Sequence, residues 1–167
     1  IKPHQPYAVA TVHRAENTDD SKRLYDILSA LSQLDFPVVM PLHPRTRRAI
    51  QQFGYNDVLH SGAMQPCEPL SYFEMLKLVS SAQVVLTDSG GVQKEAYMLG
   101  IPCLTLRDET EWPETVEAGW NHLTGAKATN ILQAVRTASK PSDWPPLFGD
   151  GNAAEKMTSI LLQHGNS

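Results

Sequence analysis

The residues best suited to chemistry lie in one stretch, Leu86–Gly100, which reads L-T-D-S-G-G-V-Q-K-E-A-Y-M-L-G. An apolar run, Val84-Val85-Leu86, stops at Thr87-Asp88-Ser89; two glycines follow, and a helical pattern over Val92–Leu99 ends at Gly100. This is the order strand, tight turn, helix. Glycine has no Cβ, so it lets a ligand approach the main chain closely. The first amides of the following helix are unpaired and sit at the positive end of its dipole. Ser89, Gly90 and Gly91 therefore form a seat for an anion, most naturally a phosphate. Glu95, one turn further on, is badly placed for phosphate and well placed to accept hydrogen bonds from sugar hydroxyls. The turn lacks the full G-x-G-x-x-G fingerprint and the P-loop lysine, so neither a plain dinucleotide site nor a Walker-type ATPase is indicated. The plainer alternative is that Gly90 and Gly91 only make a tight strand-to-helix turn.

Other polar residues fall into a matching pattern. His13-Arg14, His43 and Arg107 each follow directly after an expected strand, as Ser89-Gly90-Gly91 does. If those strands are parallel, four separate loops bring His, Arg and amide donors to one edge. The plainer reading is that polar residues after strands are ordinary loop residues. The formal net charge of −4 over 167 residues provides no broad basic field for nucleic acid or an anionic membrane. An anion must be held locally. Cys67 and Cys103 make no CxxC and no metal-ligand cluster, and they read as buried thiols of a reducing, cytoplasmic compartment. No metal and no resident cofactor is expected. No apolar run approaches the ~20 residues of a membrane span. The chain opens Ile1-Lys2-Pro3-His4, without an initiator Met or a signal peptide, which reads as a piece of something longer.

The elements that must position these residues alternate along the chain. Tyr7–Val12 is an expected strand, apolar on both faces as in a covered parallel sheet. The polar cluster His13–Asn17 shows no hydrophobic periodicity. Asp19-Asp20-Ser21 starts a helix whose Leu24, Ile27, Leu28, Leu31 and Leu34 recur at helical spacing up to Asp35. Pro37–Leu42 is a second strand, and a helix over Thr46–Phe53 closes at Gly54. Val58-Leu59-His60 reads as a short third strand and Pro66–Pro69 as a loop. A helix over Leu70–Ser80 precedes the central strand. Ile101–Leu106 is the next strand, Glu109–Gly119 holds a short helix, and Asn121–Gly125 is a last short strand. Helices over Ala126–Ser139 and Asn152–His164 flank a Pro-rich crossing loop, Lys140–Asp150. Residues 1–167 therefore read as a single α/β domain, a doubly wound parallel sheet of Rossmann type. Such sheets bind ligands outside the strand carboxyl ends, at a topological switch point.

Several ordered motifs resemble one family. Thr11-Val12-His13-Arg14-Ala15-Glu16-Asn17 is similar to its T-x-H-R-x-E-N signature, and Pro41-Leu42-His43-Pro44 to its second His loop. Thr87–Ala96 resembles its nucleotide-binding turn. Leu99-Gly100-Ile101-Pro102 and Arg107–Glu114 follow in the expected order. The resemblance, over residues 7–139, is to the non-hydrolysing UDP-N-acetylglucosamine 2-epimerases. It implies the carboxy-terminal half of a glycosyltransferase-B-like fold, whose amino-terminal partner domain is absent from this chain. It implies inversion at C2 of UDP-GlcNAc to give UDP-ManNAc, through proton removal, UDP elimination and re-addition. It assigns the diphosphate to Ser89, Gly90 and Gly91, and the ribose to Glu95. His13 would be catalytic, stabilising the departing UDP. Arg14, His43 and Arg107 would contact the UDP-sugar, His43 alternatively at a second, regulatory site. The acid–base carboxylates would belong to the absent half, and a homodimer is compatible with the family.

Two departures matter. Trp112 stands where many members have Arg, and Lys94 stands where an acidic residue precedes Glu95. Trp112 then stacks or packs instead of binding phosphate, and Lys94 adds positive charge or faces solvent. Three alternatives share the architecture: a glycosyltransferase, a hydrolysing epimerase, and a non-catalytic UDP-sugar sensor.

Overall fold

The computed structural model describes residues 6–164; the opening residues Ile1–Gln5 lie outside that range. In chain order the elements are β1 (Ala8–Thr11), α1 (Ala15–Thr18), α2 (Ser21–Ser32), β2 (Val38–Pro41), α3 (Pro44–Phe53), α4 (Asn56–Leu59), β3 (Met64–Cys67), α5 (Tyr72–Ser80), β4 (Val84–Thr87), α6 (Gly90–Met98), β5 (Cys103–Thr105), α7 (Pro113–Glu117), β6 (Asn121–Leu123), α8 (Ala128–Thr137) and α9 (Ala153–His164). The six strands form one sheet in the order β3-β2-β1-β4-β5-β6, and every ladder is parallel. This is the doubly wound, Rossmann-like arrangement.

Strand side chains alternate between faces, and here both faces are buried. Ala8, Ala10, Val38, Met40, Val84, Leu86 and Leu104 join a core with Leu24, Ile27, Leu28 and Leu31 of α2, Ile50 of α3 and Ile131 of α8. Val9, Val39, Val85 and Cys103 face the other way, against Leu78 and Val79 of α5 and Ala96 of α6. The apolar stripe of α2 is fully enclosed, and each such leucine or isoleucine contributes about 1.5–3 kcal/mol. Its entry is set by Asp20, whose side chain accepts a hydrogen bond from the Arg23 N–H at 3.0 Å, as an N-cap should.

Three sequence expectations need correction. Val58-Leu59-His60 is not a strand: Val58 and Leu59 belong to the single-turn helix α4, and Leu59 is buried in the first core. A two-residue apolar run fits either period. The third strand is Met64–Cys67, overlapping the expected loop Pro66–Pro69. Proline lacks an N–H and is tolerated in a sheet at an edge, and β3 is an edge strand paired with β2 alone. Within the polar cluster after β1, Ala15–Thr18 forms the one-turn helix α1, which carries no apolar repeat to announce it.

Past α8 the Pro-rich segment is tied down by aromatic residues. Trp120 Nε1 donates to Asp143 O at 2.8 Å, Trp144 Nε1 to Tyr97 O at 3.0 Å, and Tyr97 Oη to Pro145 O. Beyond it, α9 leaves Met157, Leu161 and Leu162 exposed.

The turn between α4 and β3 offers a test. Gly62 has φ +55°, and a Cβ there would run into the Ser32 carbonyl oxygen at the end of α2. Gly62→Ala combines a left-handed backbone with a clash against main chain. It is expected to lower stability by about 3 kcal/mol in urea unfolding.

Candidate functional site

Because all the ladders are parallel, the loops after β1, β2, β4 and β5 leave the sheet at the same edge. β1 and β4 are neighbours in register, with Thr11 opposite Thr87 and their hydroxyls 2.6 Å apart. The chain departs from them in opposite directions, toward β2 and toward β5. That is the switch point, where a doubly wound sheet opens a crevice.

The centre of the edge is Asp88, a residue that motif reading passed over. Its carboxylate is fully buried. It accepts the His13 N–H at 3.0 Å on both oxygens, the Arg14 N–H at 2.9 Å and the Asn17 Nδ2–H at 3.1 Å. It thus holds the main chain leading into α1 from a different strand. Asn17 extends the link by donating to Leu106 O at 2.9 Å and accepting from Arg23 Nε at 3.1 Å. No spacing rule pairs Asp88 with residues some 70 positions earlier; only the strand order does.

His13 sits beside this carboxylate, its Nδ1 3.5 Å from Asp88 Oδ1. Burial pushes its pKa below the ordinary 6.5; Asp88 opposes this, while His43, Arg14 and Arg45 add to it. The imidazole of His43 lies against that of His13, with ring centroids 5.2 Å apart. His43 is the N-cap of α3, which begins at Pro44, two residues earlier than the periodicity suggests; its Nδ1 accepts from the Arg45 N–H at 3.1 Å. That bond requires a bare Nδ1 and leaves Nε2–H as the outward donor.

Ser89 caps α6, accepting weakly from the Val92 N–H at 3.4 Å. The helix starts at Gly90, ahead of the expected Val92. The amides of Gly90 and Gly91 have no partner among the described residues. The two glycines differ in what makes them necessary. A Cβ on Gly90 would lie 2.9 Å from Glu111 Oε2 and 3.5 Å from Trp112 Nε1, whereas the nearest atom to a Cβ on Gly91 is Ser89 Oγ at 3.8 Å. Neither has positive φ. Gly90 makes room for a protein loop, and Gly91 faces open space. Glu95 is half-buried, its carboxylate has no hydrogen-bond or ion-pair partner among the described residues, and burial raises its pKa.

The cations at this edge are already engaged. Arg107 is buried, and its Nε, Nη1 and Nη2 donate to Glu16 at 2.8 Å, Glu111 at 2.7 Å and Glu109 at 3.2 Å. Arg14 lies 3.3 Å from Glu111, and Arg45 pairs with Asp19 at 2.6 Å. The structure brings Arg14 and Arg107 to the expected edge, Arg107 held by three glutamates and Arg14 beside one. Neither thiol enters the site as a reactive group: Cys103 is buried, with its pKa pushed up to about 12, and Cys67 is also raised by burial.

The UDP-N-acetylglucosamine 2-epimerase family model matches residues 1–162 of the chain. The chain belongs to that family. The UDP-N-acetylglucosamine 2-epimerase of Methanocaldococcus jannaschii is 40% identical over 161 residues, 93% of this chain and 44% of that protein. A UDP-2,3-diacetamido-2,3-dideoxy-D-glucuronate 2-epimerase of Pseudomonas aeruginosa is 44% identical over 162 residues, 94% of this chain and 44% of that protein. The crystal structure of the M. jannaschii epimerase in complex with UDP-GlcNAc and UDP superposes with a TM-score of 0.85 at 39% identity, covering 95% of this chain and 45% of that one. The chain therefore spans less than half the length of these epimerases. Among the described residues, no helix is long and apolar enough to cross a membrane.

Asp88→Asn removes the charge that three donors share and, even with its oxygen in the Oδ2 position, turns an NH2 toward the His13 N–H. It is expected to cost about 3 kcal/mol in urea unfolding. His13 is expected to titrate below 6.5 by NMR. The unfolded chain then takes up its proton first on acidification, so stability rises with pH through the range just below 6.5. His13→Gln removes that rise.

Proposed function

We infer that this chain is the UDP-sugar-holding half of an epimerase that interconverts UDP-GlcNAc and UDP-ManNAc. One observation carries the reading: the amides of Gly90 and Gly91, without a partner among the described residues, stand at the switch-point edge beside an exposed Gly91, where the nearby guanidinium groups are paired with carboxylates. A helix N-terminus so arranged suits a diphosphate.

Roles follow from chemistry. Ser89, Gly90 and Gly91 hold the diphosphate through hydroxyl and main-chain N–H groups. Glu95, with no competing partner, accepts hydrogen bonds from the ribose. A carboxylate of the other half removes the C2 proton of the sugar. The C1–O bond to UDP then breaks, the electron pair of the former C–H bond forms the C1–C2 double bond of a 2-acetamidoglucal, and negative charge collects on the leaving diphosphate. Amides and the His13 side chain stabilise that charge as it develops. UDP then adds back to C1 as a proton returns to the opposite face of C2. His43, its ring against that of His13, offers its Nε2–H to the same ligand, and Arg14 contacts it as well. Arg107 contributes by exchanging one of its three glutamates for phosphate. The acid–base groups lie outside these 167 residues, and closure of the second half supplies positioning and excludes water.

A second reading keeps this chemistry and changes the sugar. It is favoured by the P. aeruginosa relative, which at 44% identity matches as well as the UDP-GlcNAc enzymes and is named for a diacetamido-glucuronate.

Calorimetric titration separates these ideas. The chain alone is expected to bind UDP weakly, Glu95→Gln to bind it more weakly still, and neither to turn over UDP-GlcNAc. No heat at millimolar UDP ends the nucleotide reading, and turnover by the isolated chain would place the acid–base groups within it. In the full-length protein, solvent deuterium should enter C2 of UDP-GlcNAc without an acceptor. Exchange only with the diacetamido-glucuronate substrate would establish the second reading.

A further inference from the structure

The loop between β5 and α7 is fastened onto the first turns of α6 at two points. Thr110 Oγ1 donates to Gln93 Oε1 at 2.5 Å, and Trp112 Nε1 donates to Gly90 O at 2.7 Å. The Trp112 main chain is held as well: its N–H donates to Thr110 Oγ1 at 3.0 Å, and its carbonyl accepts from Thr115 Oγ1 at 2.7 Å. The indole is packed on its own account. Phe148, from the Pro-rich segment before α9, meets it edge-on with centroids 5.3 Å apart. The Lys94 ammonium lies 4.8 Å from the indole centroid and 4.7 Å from that of Phe148. A cation over two aromatic faces is attracted by both.

The atom that Trp112 grips decides the consequence. The Gly90 carbonyl and the Gly91 N–H belong to one peptide unit, which is planar and rigid. Fixing the oxygen fixes where the N–H points. A carbonyl oxygen has two lone pairs, so the indole bond adds to the helical one without replacing it. Gly91 lacks the side chain that would otherwise restrict this peptide, and its own N–H has no partner among the described residues. Trp112 supplies a second constraint on it.

We propose that Trp112 is a positioning residue for the diphosphate: by holding the Gly90 carbonyl it aims the Gly91 amide, and Lys94 and Phe148 hold the indole in place. The proposal rests on the nucleotide reading above for its ligand, but the orientation of the Gly91 peptide can be read without any ligand.

The test compares the unaltered chain with Trp112→Phe and with a chain carrying benzothienylalanine at position 112, in which sulfur replaces the indole N–H in a ring of the same shape. The readouts are the Gly91 amide resonance in 1H–15N spectra, its hydrogen-exchange rate, the melting temperature and UDP affinity. The expected result is a shifted and faster-exchanging Gly91 amide in both variants, with UDP affinity lower by about three- to tenfold. The benzothienylalanine chain should melt close to the unaltered one, since its packing is retained. A Gly91 amide that is unmoved in the benzothienylalanine chain overturns the proposal, whatever happens to Trp112→Phe. If the unaltered chain binds no UDP, the nucleotide reading fails by itself, and the amide resonance still decides whether Trp112 orients the peptide.

Discussion

A single buried carboxylate organises the edge of the sheet. Asp88 leaves β4 with no solvent to stabilise its charge, and its stabilisation comes instead from the main-chain amides of His13 and Arg14 and the Asn17 side chain. A buried charge without such donors would be untenable. The arrangement serves both partners, because α1 is one turn long and has no N-cap side chain of its own. Asp88 instead holds, from the neighbouring strand, the two main-chain amides that lead into it. The loop carrying His13 is thereby fixed to the loop carrying Ser89-Gly90-Gly91, and the two halves of the crevice cannot drift apart independently.

Around this anchor the electrostatics run against first impressions. Arg14, Arg23, Arg45 and Arg107 cluster near the crevice, yet each meets an Asp or Glu. With a formal charge of −4 on the chain, attraction of a diphosphate cannot come from a wide positive field. In the proposed site it would fall to dipoles at short range: the first amides of α6 and the imidazoles of His13 and His43. Burial favours a neutral His13, so it acts as an N–H donor rather than a standing cation. A site built from oriented dipoles admits an anion with little reorganisation.

Much of this was legible before any coordinates. Strand apolarity on both faces, the helical stripe of α2 and the glycine pair after Leu86 are local patterns, and local patterns survive folding. The short elements were not legible. Val58-Leu59 satisfies two periodicities at once, and its fate is decided by Leu59 finding the core. Pro66 reads as a loop residue because nothing in the sequence says that β3 lies at an edge. The chief omission at the site, Asp88, has the same cause. A lone aspartate after a strand is common, and its weight comes from residues brought together by strand order alone. Trp112 was visible as an oddity of type, but that its N–H points at Gly90 follows from the tertiary placement of the β5–α7 loop.

The strand order also constrains how the molecule is made. β1 is the first of the described strands and central in the sheet, with β2 on one side and β4 on the other. On synthesis, β1 and β2 emerge close together and can pair early, while the second side of β1 stays open until β4 arrives about 75 residues later. Contacts of such long range are slow to close because chain entropy is lost before they form. Until then Asp88 is missing, and the His13 and Arg14 amides lack the acceptor that holds their loop in the finished sheet.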